Sequence, residues 1–396
     1  MKIGILTFHS QLNYGGVLQC WALQTALEEL GHEVVVVDRW LSPDNRMLDG
    51  PFGHAGLKGW CVIALKSMLG CGTWKQVLRH WRTRWFVRSL NLTPYHFYNW
   101  LDLASQPQPF NLNLDILVVG SDQVWHGGDW GDPGPYLLEG APQIPAIAYA
   151  ASFGMKSLPE GIDYRNGFKR FSAISVREAE GIGLVESLGM KAMHVVDPTL
   201  LLDSSRWAQM GVRRKVPRRI VCYFLSQKIA EAVKVLEPWA RQNDCTVEIV
   251  CDGMQKAVPR TVRECVLRLI DMAHSIVTPS RVRICTGYGP REFARAFAQA
   301  EMCITDSFHA VMFSSIFNCN ARFLRPTTEM RRGMFARIEE FAKECITGGF
   351  FVDDVSEALS AFERGETVSF KTDRIAAMRA ESMKWIEGAL KEWVRG

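Results

Sequence analysis

The amino-acid sequence predicts an α/β protein made of two doubly wound domains, and three observations support this prediction. The 396 residues exceed what one ordinary core encloses and suit two domains of roughly 150–200 residues each. Short apolar runs, typical of buried parallel strands, alternate with helical patterns. This alternation stops at a basic, proline-containing segment and then begins again, as expected for a second domain of the same class.

The first forty residues predict a βαβ unit. Ile3–Phe8 is a short apolar run typical of a buried strand. A turn at Gly15-Gly16, a helix over about residues 17–30 and a second strand at Val34–Asp38 are expected to follow. Strands joined in this way are parallel, with a right-handed crossover. Further buried strands are expected at Ile116–Val119, Ala146–Ala150, Ala173–Val176 and Val195–Val196, with helical stretches between several of them.

The second half of the chain repeats the alternation. The basic segment Arg213–Arg219 interrupts the pattern, and we place the domain boundary near Ser204–Pro217. The predicted domains are therefore residues 1–205 and 206–396, both of doubly wound type. The elements expected after the boundary are strands at Ile220–Leu225, Thr246–Val250, Met302–Thr305 and Ala321–Leu324, and helices at Ile229–Gln242, Arg291–Ala300 and Ile375–Val394. A terminal helix in a two-domain fold of this kind can cross back to the first domain.

Composition and charge exclude several functional classes. The chain is 47% hydrophobic and 22% charged with a formal net charge of +4, which gives no reason to expect nucleic-acid binding. Its 11 cysteines are scattered without a CxxC pair, so we expect reduced thiols rather than a disulfide or zinc framework. No metal-ligand spacing is present. No signal-peptide pattern and no apolar run of about 20 residues appears, so we expect a cytoplasmic protein.

The segment Gly50–Leu101 stands apart because it contains no Asp or Glu. The main prediction for it is a helical insertion whose aromatic side chains pack on the core. A surface that rests on an anionic membrane leaflet is the sharper alternative. Binding to a nucleic-acid strand is the weakest option, since no known motif accompanies the segment. Its cations and indoles are Lys58, Lys66, Lys75, Arg79, Arg82, Arg84, Arg88, Trp60, Trp74, Trp81, Trp85 and Trp100.

The most reaction-like stretch follows the predicted strand at Met302–Thr305. There Asp306, Ser307 and His309 form a small polar turn that opens a helix. Free N–H groups at a helix start, together with the helix dipole, favour a bound anion. A histidine in such a turn places a proton donor or acceptor beside the anion. The alternative is a capped helix with a satisfied histidine, and we favour the functional interpretation.

Two further turns carry candidate binding residues. Asn13 with Gly15-Gly16 opens the first helix, and its glycines let a backbone approach a ligand, although a tight structural turn explains them equally well. The second turn follows the strand at Ile116–Val119, where ligands bind in open α/β sheets. Its candidates for sugar binding are Ser121, Asp122, Gln123 and Trp125, the last by stacking on a sugar face. An N-cap at Ser121 or Asp122 is an equally good explanation.

Arginines provide the remaining candidates. Arg177 ends the predicted strand at Ala173–Val176 and is suited to a bidentate clamp on carboxylate or phosphate, whereas a surface pair with Glu178 is the simpler alternative. Asp197-Pro198 is expected to be mainly a structural turn. Further along lie Arg325, Arg331, Arg332 and Arg337, which reach the same site or form a solvated basic face.

Taken together, these residues resemble the polysaccharide pyruvyl transferase family. The matching stretches occur in the order found in that family and spread over about residues 3–325, which is most of the chain. Each alone is unspecific, whereas all together are a strong signal. They are Asn13–Gln19, Gly120–Trp125, Ile174–Glu178, Val196–Leu201 and Thr305–Ala310.

The resemblance implies a fold and an activity. It implies two Rossmann-like domains facing a cleft, as in glycosyltransferases of the GT-B type. It implies phosphoenolpyruvate as co-substrate, without a further cofactor. The acceptor would be a sugar of a cell-surface polysaccharide or its lipid-linked precursor, and the product a pyruvate ketal. The protein would then work in the cytoplasm, in contact with the inner face of the membrane if the segment 50–101 docks there.

The resemblance also implies roles for the candidate residues. His309 is expected to act as the acid/base, and Arg177 to bind the carboxylate or phosphate of the donor. The other residues expected on the donor side are Ser307, Asp306, Asn13, Gly15, Gly16, Arg332 and Arg337. The turn Ser121–Trp125 is expected on the acceptor side.

Phe308 departs from the family pattern. Many members carry an arginine beside the histidine in this turn, so the missing positive charge is expected from Arg332 or Arg337. Two alternatives to pyruvyl transfer follow from the same architecture. One is a glycosyltransferase that uses a nucleotide-sugar, and the other is a glycan-binding protein without turnover.

Overall fold

The computed structural model describes residues 1–9, 12–39, 73–94, 97, 99–100, 113–127, 132–211, 215–226, 228–251, 279–326 and 329–395. Its main features are two parallel six-stranded sheets with helices packed around them. The α/β class with two doubly wound units, predicted from the sequence, is therefore confirmed. The two sheets and the helices around them are called the first lobe and the second lobe.

The first lobe contains a sheet with the strand order β2-β1-β3-β4-β5-β6. Its strands are β1 (Lys2–Leu6), β2 (Glu33–Val36), β3 (Ile116–Val119), β4 (Ala146–Ala151), β5 (Phe171–Val176) and β6 (Met193–His194). Its helices are α1 (Tyr14–Glu29), α2 (Thr73–Val87), α3 (Tyr164–Phe168), α4 (Glu180–Ser187) and α5 (Ser204–Ala208). Every strand pair in this sheet is parallel, so the carboxyl ends of all its strands lie at one edge.

The second lobe contains a sheet with the order β13-β11-β10-β7-β8-β9. Its strands are β7 (Arg219–Tyr223), β8 (Thr246–Val250), β9 (Val282–Cys285), β10 (Met302–Thr305), β11 (Asn320–Leu324) and β13 (Phe351–Val352), while β12 (Ile346–Thr347) and β14 (Ser369–Phe370) form a separate pair. Its helices are α6 (Ile229–Gln242), α7 (Pro290–Gln299), α8 (Phe308–Ile316), α9 (Glu329–Cys345), α10 (Val355–Glu363) and α11 (Thr372–Arg395). Again every pair of the large sheet is parallel.

Helix α1 begins three residues earlier than the sequence predicts. Asn13 caps it, since its side-chain oxygen accepts hydrogen bonds from the N–H groups of Gly15 (2.9 Å) and Gly16 (3.5 Å). The prediction of a turn at Gly15-Gly16 is therefore wrong, because both glycines lie in the first turn of the helix. An asparagine at the N-cap outweighs the poor helix propensity of the glycines.

One continuous apolar core joins the two lobes. Tyr14 at the start of α1 stacks on Phe293 of α7 with ring centroids 4.7 Å apart, and its hydroxyl donates a hydrogen bond to the carbonyl of Tyr288. Trp207 of α5 packs against Trp21 of α1 and Phe313 of α8. All these aromatic side chains belong to the same cluster. The lobes therefore meet through packed helices, with the carboxyl edges of both sheets near the contact.

The C-terminal helix α11 returns to the first lobe. Ser382 accepts a hydrogen bond from the N–H of Val196 (3.0 Å), and Arg379 donates one to the carbonyl of Leu200 (2.6 Å). Trp385 lies 6.2 Å from Tyr149 between ring centroids. This helix therefore ties the loop after β6 to the second lobe. The domain boundary near residues 204–217 stays a prediction.

Part of the predicted insertion at 50–101 falls within the described residues. Helix α2 is present there, whereas residues 50–72, 95–96, 98 and 101 lie outside the described part of the chain. Where the structure is described, none of the helices combines the length and apolarity needed to cross a membrane.

Candidate functional site

The candidate site lies where the β10–α8 turn of the second lobe meets the first lobe. Four segments of the first lobe surround this turn: the start of α1, the turn after β3, the end of β5 and the loop after β6. The parallel strands bring these segments together, since their carboxyl ends share one edge, and ligands bind at that edge in open α/β sheets. The sequence-predicted motifs therefore converge on one place.

His309 lies in the first turn of α8 and packs directly on α1. A Cβ atom placed on Gly15 would lie only 2.0 Å from the imidazole Nδ1, so this close approach requires glycine. The other ring nitrogen, Nε2, lies 3.6 Å from Asp197 Oδ2. That Nε2 is buried and has no hydrogen-bond partner among the described residues. The histidine therefore reaches across from the second lobe and faces a carboxylate of the first.

Arg177 follows β5 and connects two carboxylates of the first lobe. Its Nη1 donates a hydrogen bond to Asp197 Oδ2 at 2.9 Å, and its Nη2 donates one to Asp122 Oδ1 at 3.3 Å. The guanidinium is buried. Burial alone would lower its pKa, but Asp122, Asp197 and Glu178 together raise the pKa of Arg177 above its usual value. The arginine is therefore a permanent cation at the centre of the site.

Asp197 is the residue that the sequence analysis undervalued. We expected a mainly structural turn, and Oδ1 does accept hydrogen bonds from the N–H and hydroxyl of Thr199. The same carboxylate also contacts Arg177 and His309. Burial would raise its pKa, yet His309, Arg177 and the Thr199 N–H together hold the pKa of Asp197 well below its usual range. Its position after β6, at the same sheet edge as Arg177, is the signal that identifies it.

Phe308 lies between two guanidinium groups. Arg177 is 4.9 Å from its ring centroid, and Arg337 of α9 is 5.2 Å from it. Arg337 also donates a hydrogen bond to the Ser152 hydroxyl at 3.3 Å. Burial, and after it the charge of Arg177, lower the pKa of Arg337 to about 10. Arg337 therefore places a second cation beside Phe308, whereas the side chain of Arg332 lies outside the described residues.

The prediction of a surface pair between Arg177 and Glu178 is wrong, because both side chains are buried. Glu178 Oε1 accepts hydrogen bonds from the Ser152 hydroxyl and from the N–H groups of Phe153 and Gly154. Glu178 thereby fixes the loop after β4, which also holds the Ser152 hydroxyl that Arg337 contacts. Glu178 was not among the candidates that the sequence suggested.

Several buried polar atoms of this cluster have no hydrogen-bond partner among the described residues. They are Arg177 Nε, Glu178 Oε2, Gln123 Nε2 and His309 Nε2. Unpaired buried polar atoms are rare in native proteins, and a concentration of them indicates a place for water or ligand. A cavity of about 20 Å³ lies beside Arg177, Phe308 and Arg337, which is enough for roughly one water molecule.

Two donor-side candidates, Asp306 and Asn13, make hydrogen bonds within the protein. Asp306 accepts hydrogen bonds from the N–H groups of Leu225 and Ser226 and from the Ser226 hydroxyl, so its carboxylate is occupied in fixing the loop after β7. Asn13 caps α1 and thereby occupies the N–H groups of Gly15 and Gly16, which we expected to hold the donor. In both cases hydrogen bonds within the protein occupy the groups that we assigned to the ligand, and the donor-binding role of these residues stays a prediction.

Ser307 lies at the N-cap of α8 and is 4% exposed, and its N–H donates to the Thr305 hydroxyl. Its hydroxyl makes no capping hydrogen bond. It stays a candidate for anion binding because it lies directly before Phe308 and His309.

The acceptor-side candidates separate into two groups. Asp122 and Gln123 lie at the site. Asp122 accepts a hydrogen bond from Arg177, and the side chain of Gln123 packs against Gly154. Ser121 and Trp125 do not. The Ser121 hydroxyl donates to the Ala150 carbonyl at 2.8 Å within the sheet.

Trp125 is a core residue. Its indole is 0% exposed and packs against Phe153, Phe168 and Phe171. The prediction that Trp125 stacks on a sugar is therefore wrong, because phenylalanine rings already surround the indole. Within the described part of the chain, no group of three or more His, Cys, Asp or Glu side chains is placed to hold a metal ion.

Comparison with known proteins adds a family and a fold. The model of the family described as polysaccharide pyruvyl transferase matches residues 13–327. The solved structure of UDP-GlcNAc 2-epimerase from Neisseria meningitidis bound to UDP-GlcNAc is similar to this chain, with a TM-score of 0.51, 12% identity, and coverage of 99% of this chain and 100% of that one. A search of curated protein sequences finds no match.

Other UDP-GlcNAc 2-epimerase structures are similar at lower scores. The enzyme from Methanocaldococcus jannaschii has a TM-score of 0.49 and 15% identity, covering 92% of each chain. The enzyme from Listeria monocytogenes has a TM-score of 0.49 and 13% identity, covering 98% of this chain and 95% of that one. The similarity to the Neisseria enzyme shows a shared two-domain α/β fold of the glycosyltransferase and epimerase type.

Proposed function

Since this chain belongs to the polysaccharide pyruvyl transferase family, we propose that it transfers a pyruvyl group from phosphoenolpyruvate to a sugar. The acceptor would belong to a cell-surface polysaccharide or its lipid-linked precursor, and the product would be a pyruvate ketal with release of phosphate. The observation that carries the proposal is the convergence of the five matching stretches. They contribute Gly15, Asp122, Arg177, Asp197 and His309, which contact one another in a chain across the two lobes.

Two arginines of the site are candidates for binding a small anion. A guanidinium binds carboxylate or phosphate through its N–H groups. Arg177 Nη1 and Nη2 donate to Asp197 and Asp122, whereas its Nε has no partner among the described residues. Arg337 is buried and its guanidinium lies 5.2 Å from the ring centroid of Phe308. This position supports Arg337 as the partner of the donor's phosphate or carboxylate. Arg337 then supplies the charge that Phe308 lacks.

We assign to His309 the proton transfer that the reaction needs. Protonation of the methylene carbon of phosphoenolpyruvate creates a cationic centre at the neighbouring carbon, which a sugar hydroxyl attacks. Phosphate leaves, and a second hydroxyl closes the ketal. The two hydroxyl protons end on the new methyl group and on phosphate. Asp197 Oδ2 lies 3.6 Å from Nε2 of His309 and would orient the imidazole, as a carboxylate does for a catalytic histidine.

The acceptor would lie on the side of Asp122 and Gln123. Asp122 is already fixed by Arg177, and an amide and a carboxylate are suitable partners for sugar hydroxyls. The cavity of about 20 Å³ is far too small for phosphoenolpyruvate. We infer that the β10–α8 turn moves away from Gly15 to admit the substrates and returns for the reaction, as in enzymes that close around their substrate.

The experiment is a turnover assay on the full chain with phosphoenolpyruvate and a set of sugars that carry two free neighbouring hydroxyls, free or linked to a lipid diphosphate. Phosphate release and a ketal-modified sugar, detected by mass spectrometry, are the expected results. His309→Asn should reduce the rate by a factor of about 10²–10⁴. The matched control His32→Asn changes a histidine in the α1–β2 connection, at the opposite edge of the sheet.

Other outcomes would contradict the proposal in distinguishable ways. Transfer of a sugar from a nucleotide-sugar, without consumption of phosphoenolpyruvate, would identify a glycosyltransferase. Full turnover in His309→Asn would remove the assigned role of that residue. Sugar binding without consumption of either donor would identify a glycan-binding protein.

A further inference from the structure

Helix α2 presents an aromatic face that the proposed activity does not use. Trp74 is 56% exposed, and Trp81 and Trp85 are each 58% exposed. Their spacing of seven and four residues places them on one side of the helix. The Trp81 and Trp85 rings contact each other, with centroids 5.7 Å apart. Exposed contiguous apolar surface of this kind marks an interaction site. We call Trp74, Trp81 and Trp85 the tryptophan face.

The opposite side of α2 is fixed to both lobes. Arg79 is buried, donates a hydrogen bond to the Leu12 carbonyl and lies 4.8 Å from the Tyr14 ring centroid. Arg82 donates a hydrogen bond to the Gly287 carbonyl at 2.7 Å and pairs with Glu292 at 3.4 Å. The tryptophan face therefore cannot turn inward without breaking these contacts. The helix holds the indoles outward on a rigid support.

Charge identifies the kind of partner. The sequence from residue 50 to 101 contains seven Lys or Arg and no Asp or Glu. Lys75 and Arg88 are exposed, the first directly after Trp74 in the chain and the second three residues after Trp85. Indoles flanked by cations match the boundary of a bilayer, where the rings enter the headgroup region and the cations meet lipid phosphates. The core of a protein–protein interface is instead depleted of lysine and of charge in general.

We propose that the tryptophan face of α2, with Lys75 and Arg88, docks this protein on an anionic lipid bilayer. The inner side of α2 contacts Leu12 and Tyr14, the residues on either side of the N-cap of α1. A docked bilayer would thus be held about one helix diameter, roughly 10 Å, from the start of α1, where His309 packs on Gly15. This placement suits an acceptor carried by a lipid, a point that rests on the proposed function, whereas the docking itself does not.

Vesicle flotation of the full chain tests the proposal. Vesicles of phosphatidylcholine alone are compared with vesicles that also contain phosphatidylglycerol, at low and at high salt. We expect binding to the anionic vesicles that weakens with salt. Combined Trp74→Ser, Trp81→Ser and Trp85→Ser should reduce binding at least tenfold. Lys75→Gln with Arg88→Gln should reduce it roughly thirtyfold at low salt and only on anionic vesicles.

Met193→Ser is the matched control, because Met193 is 48% exposed on β6 of the first lobe, and it should bind vesicles like the wild type. Thermal melts and phosphoenolpyruvate binding should be unchanged in the triple tryptophan variant. Loss of docking is thereby separated from misfolding and from failure of the proposed function.

Equal vesicle binding by wild type and triple variant would overturn the proposal, as would no binding to anionic vesicles at low salt. A dimer of the wild type that dissociates in the triple variant, without vesicle binding, would assign the face to a second copy of the chain.

Discussion

At the scale of single residues, the close contact between Gly15 and His309 connects the two lobes most directly. The space for the imidazole exists only because residue 15 lacks a Cβ atom. Gly15 therefore makes room for a side chain of the second lobe. It explains why a residue of poor helix propensity stands in the first turn of α1.

Gly15→Ala should reduce turnover strongly while changing stability little. The new methyl group would overlap the imidazole, and a side chain of this kind turns away more easily than backbone moves. We expect the rate of phosphate release to fall by a factor of about 10²–10⁴, with a similar melting temperature. Gly183→Ala is the matched control, since no atom lies within 4 Å of its Cβ position. Unchanged turnover in Gly15→Ala would show that His309 is not placed as described.

Asp197→Asn should destabilise the protein in a pH-dependent way. At neutral pH the loss of the buried partner of Arg177 should cost about 3–5 kcal/mol of unfolding free energy. The pKa of Asp197 in the folded protein lies below the ordinary value of 3.8. The stability that its charge contributes is therefore fully present above about pH 4 and is lost as pH falls through the folded pKa.

Urea unfolding at pH 7, 5, 4 and 3 (values chosen around the ordinary carboxyl pKa of about 3.9) checks this prediction. The difference in unfolding free energy between wild type and Asp197→Asn should be equal at the two higher pH values and should shrink at the lowest. A difference that grows as the solution becomes more acidic would contradict the assigned pKa direction.

At the scale of elements, the positions of the strands were predictable from the sequence. The contacts made by the residues that follow their carboxyl ends were not. Continuous apolar runs such as Ile116–Val119 and Met302–Thr305 identify buried parallel strands, and the structure has strands at these bounds. The alternation of strands and helices also predicted the sheet edge where candidates meet. Which residue at that edge faces the partner lobe depends on packing between segments far apart in sequence.

Asp306 and Trp125 illustrate what local sequence leaves open. Asp306 was expected to bind the donor, but the loop after β7, some 80 residues earlier, occupies its carboxylate. Trp125 was expected to stack on a sugar of the acceptor, but rings from α3 and β5 pack against it. Asp197 was expected to be mainly structural, but the structure brings its carboxylate to Arg177 of the first lobe and His309 of the second.

Helix α11 gives a test at this scale. Ser382→Ala should lower the unfolding free energy by about 1–3 kcal/mol, because the buried N–H of Val196 loses its only hydrogen-bond acceptor among the described residues. Ser187→Ala is the matched control, since the hydroxyl of this exposed serine bonds only within its own helix turn. Equal stability of the two variants would show that α11 does not hold the loop after β6.

At the scale of the whole molecule, two similar sheets share one apolar core and one polar cluster. The core residues Trp21, Trp207 and Phe313 come from both lobes, and the cluster lies beside them. The fold class was predictable because length and repeated alternation require it. The closed arrangement of His309 against Gly15 was not, since it depends on how the lobes pack on each other.

The central claim is that Arg177, Arg337 and His309 form a phosphoenolpyruvate site. Calorimetric titration of the full chain with phosphoenolpyruvate, and separately with UDP-GlcNAc, tests it most directly. Arg337→Gln is the informative variant, because it removes the guanidinium beside Phe308 and leaves Arg177 with its pairs to Asp197 and Asp122. Arg218→Gln, at an exposed arginine of the second lobe with 63% of its side chain accessible, is the matched control.

Phosphoenolpyruvate should bind to the wild type and to Arg218→Gln with equal affinity. Binding to Arg337→Gln should be weaker by a factor of about 10–100, since a charge-assisted hydrogen bond is lost. Equal affinity for phosphoenolpyruvate in Arg337→Gln and wild type would contradict the claim. Binding of UDP-GlcNAc in place of phosphoenolpyruvate would contradict it as well.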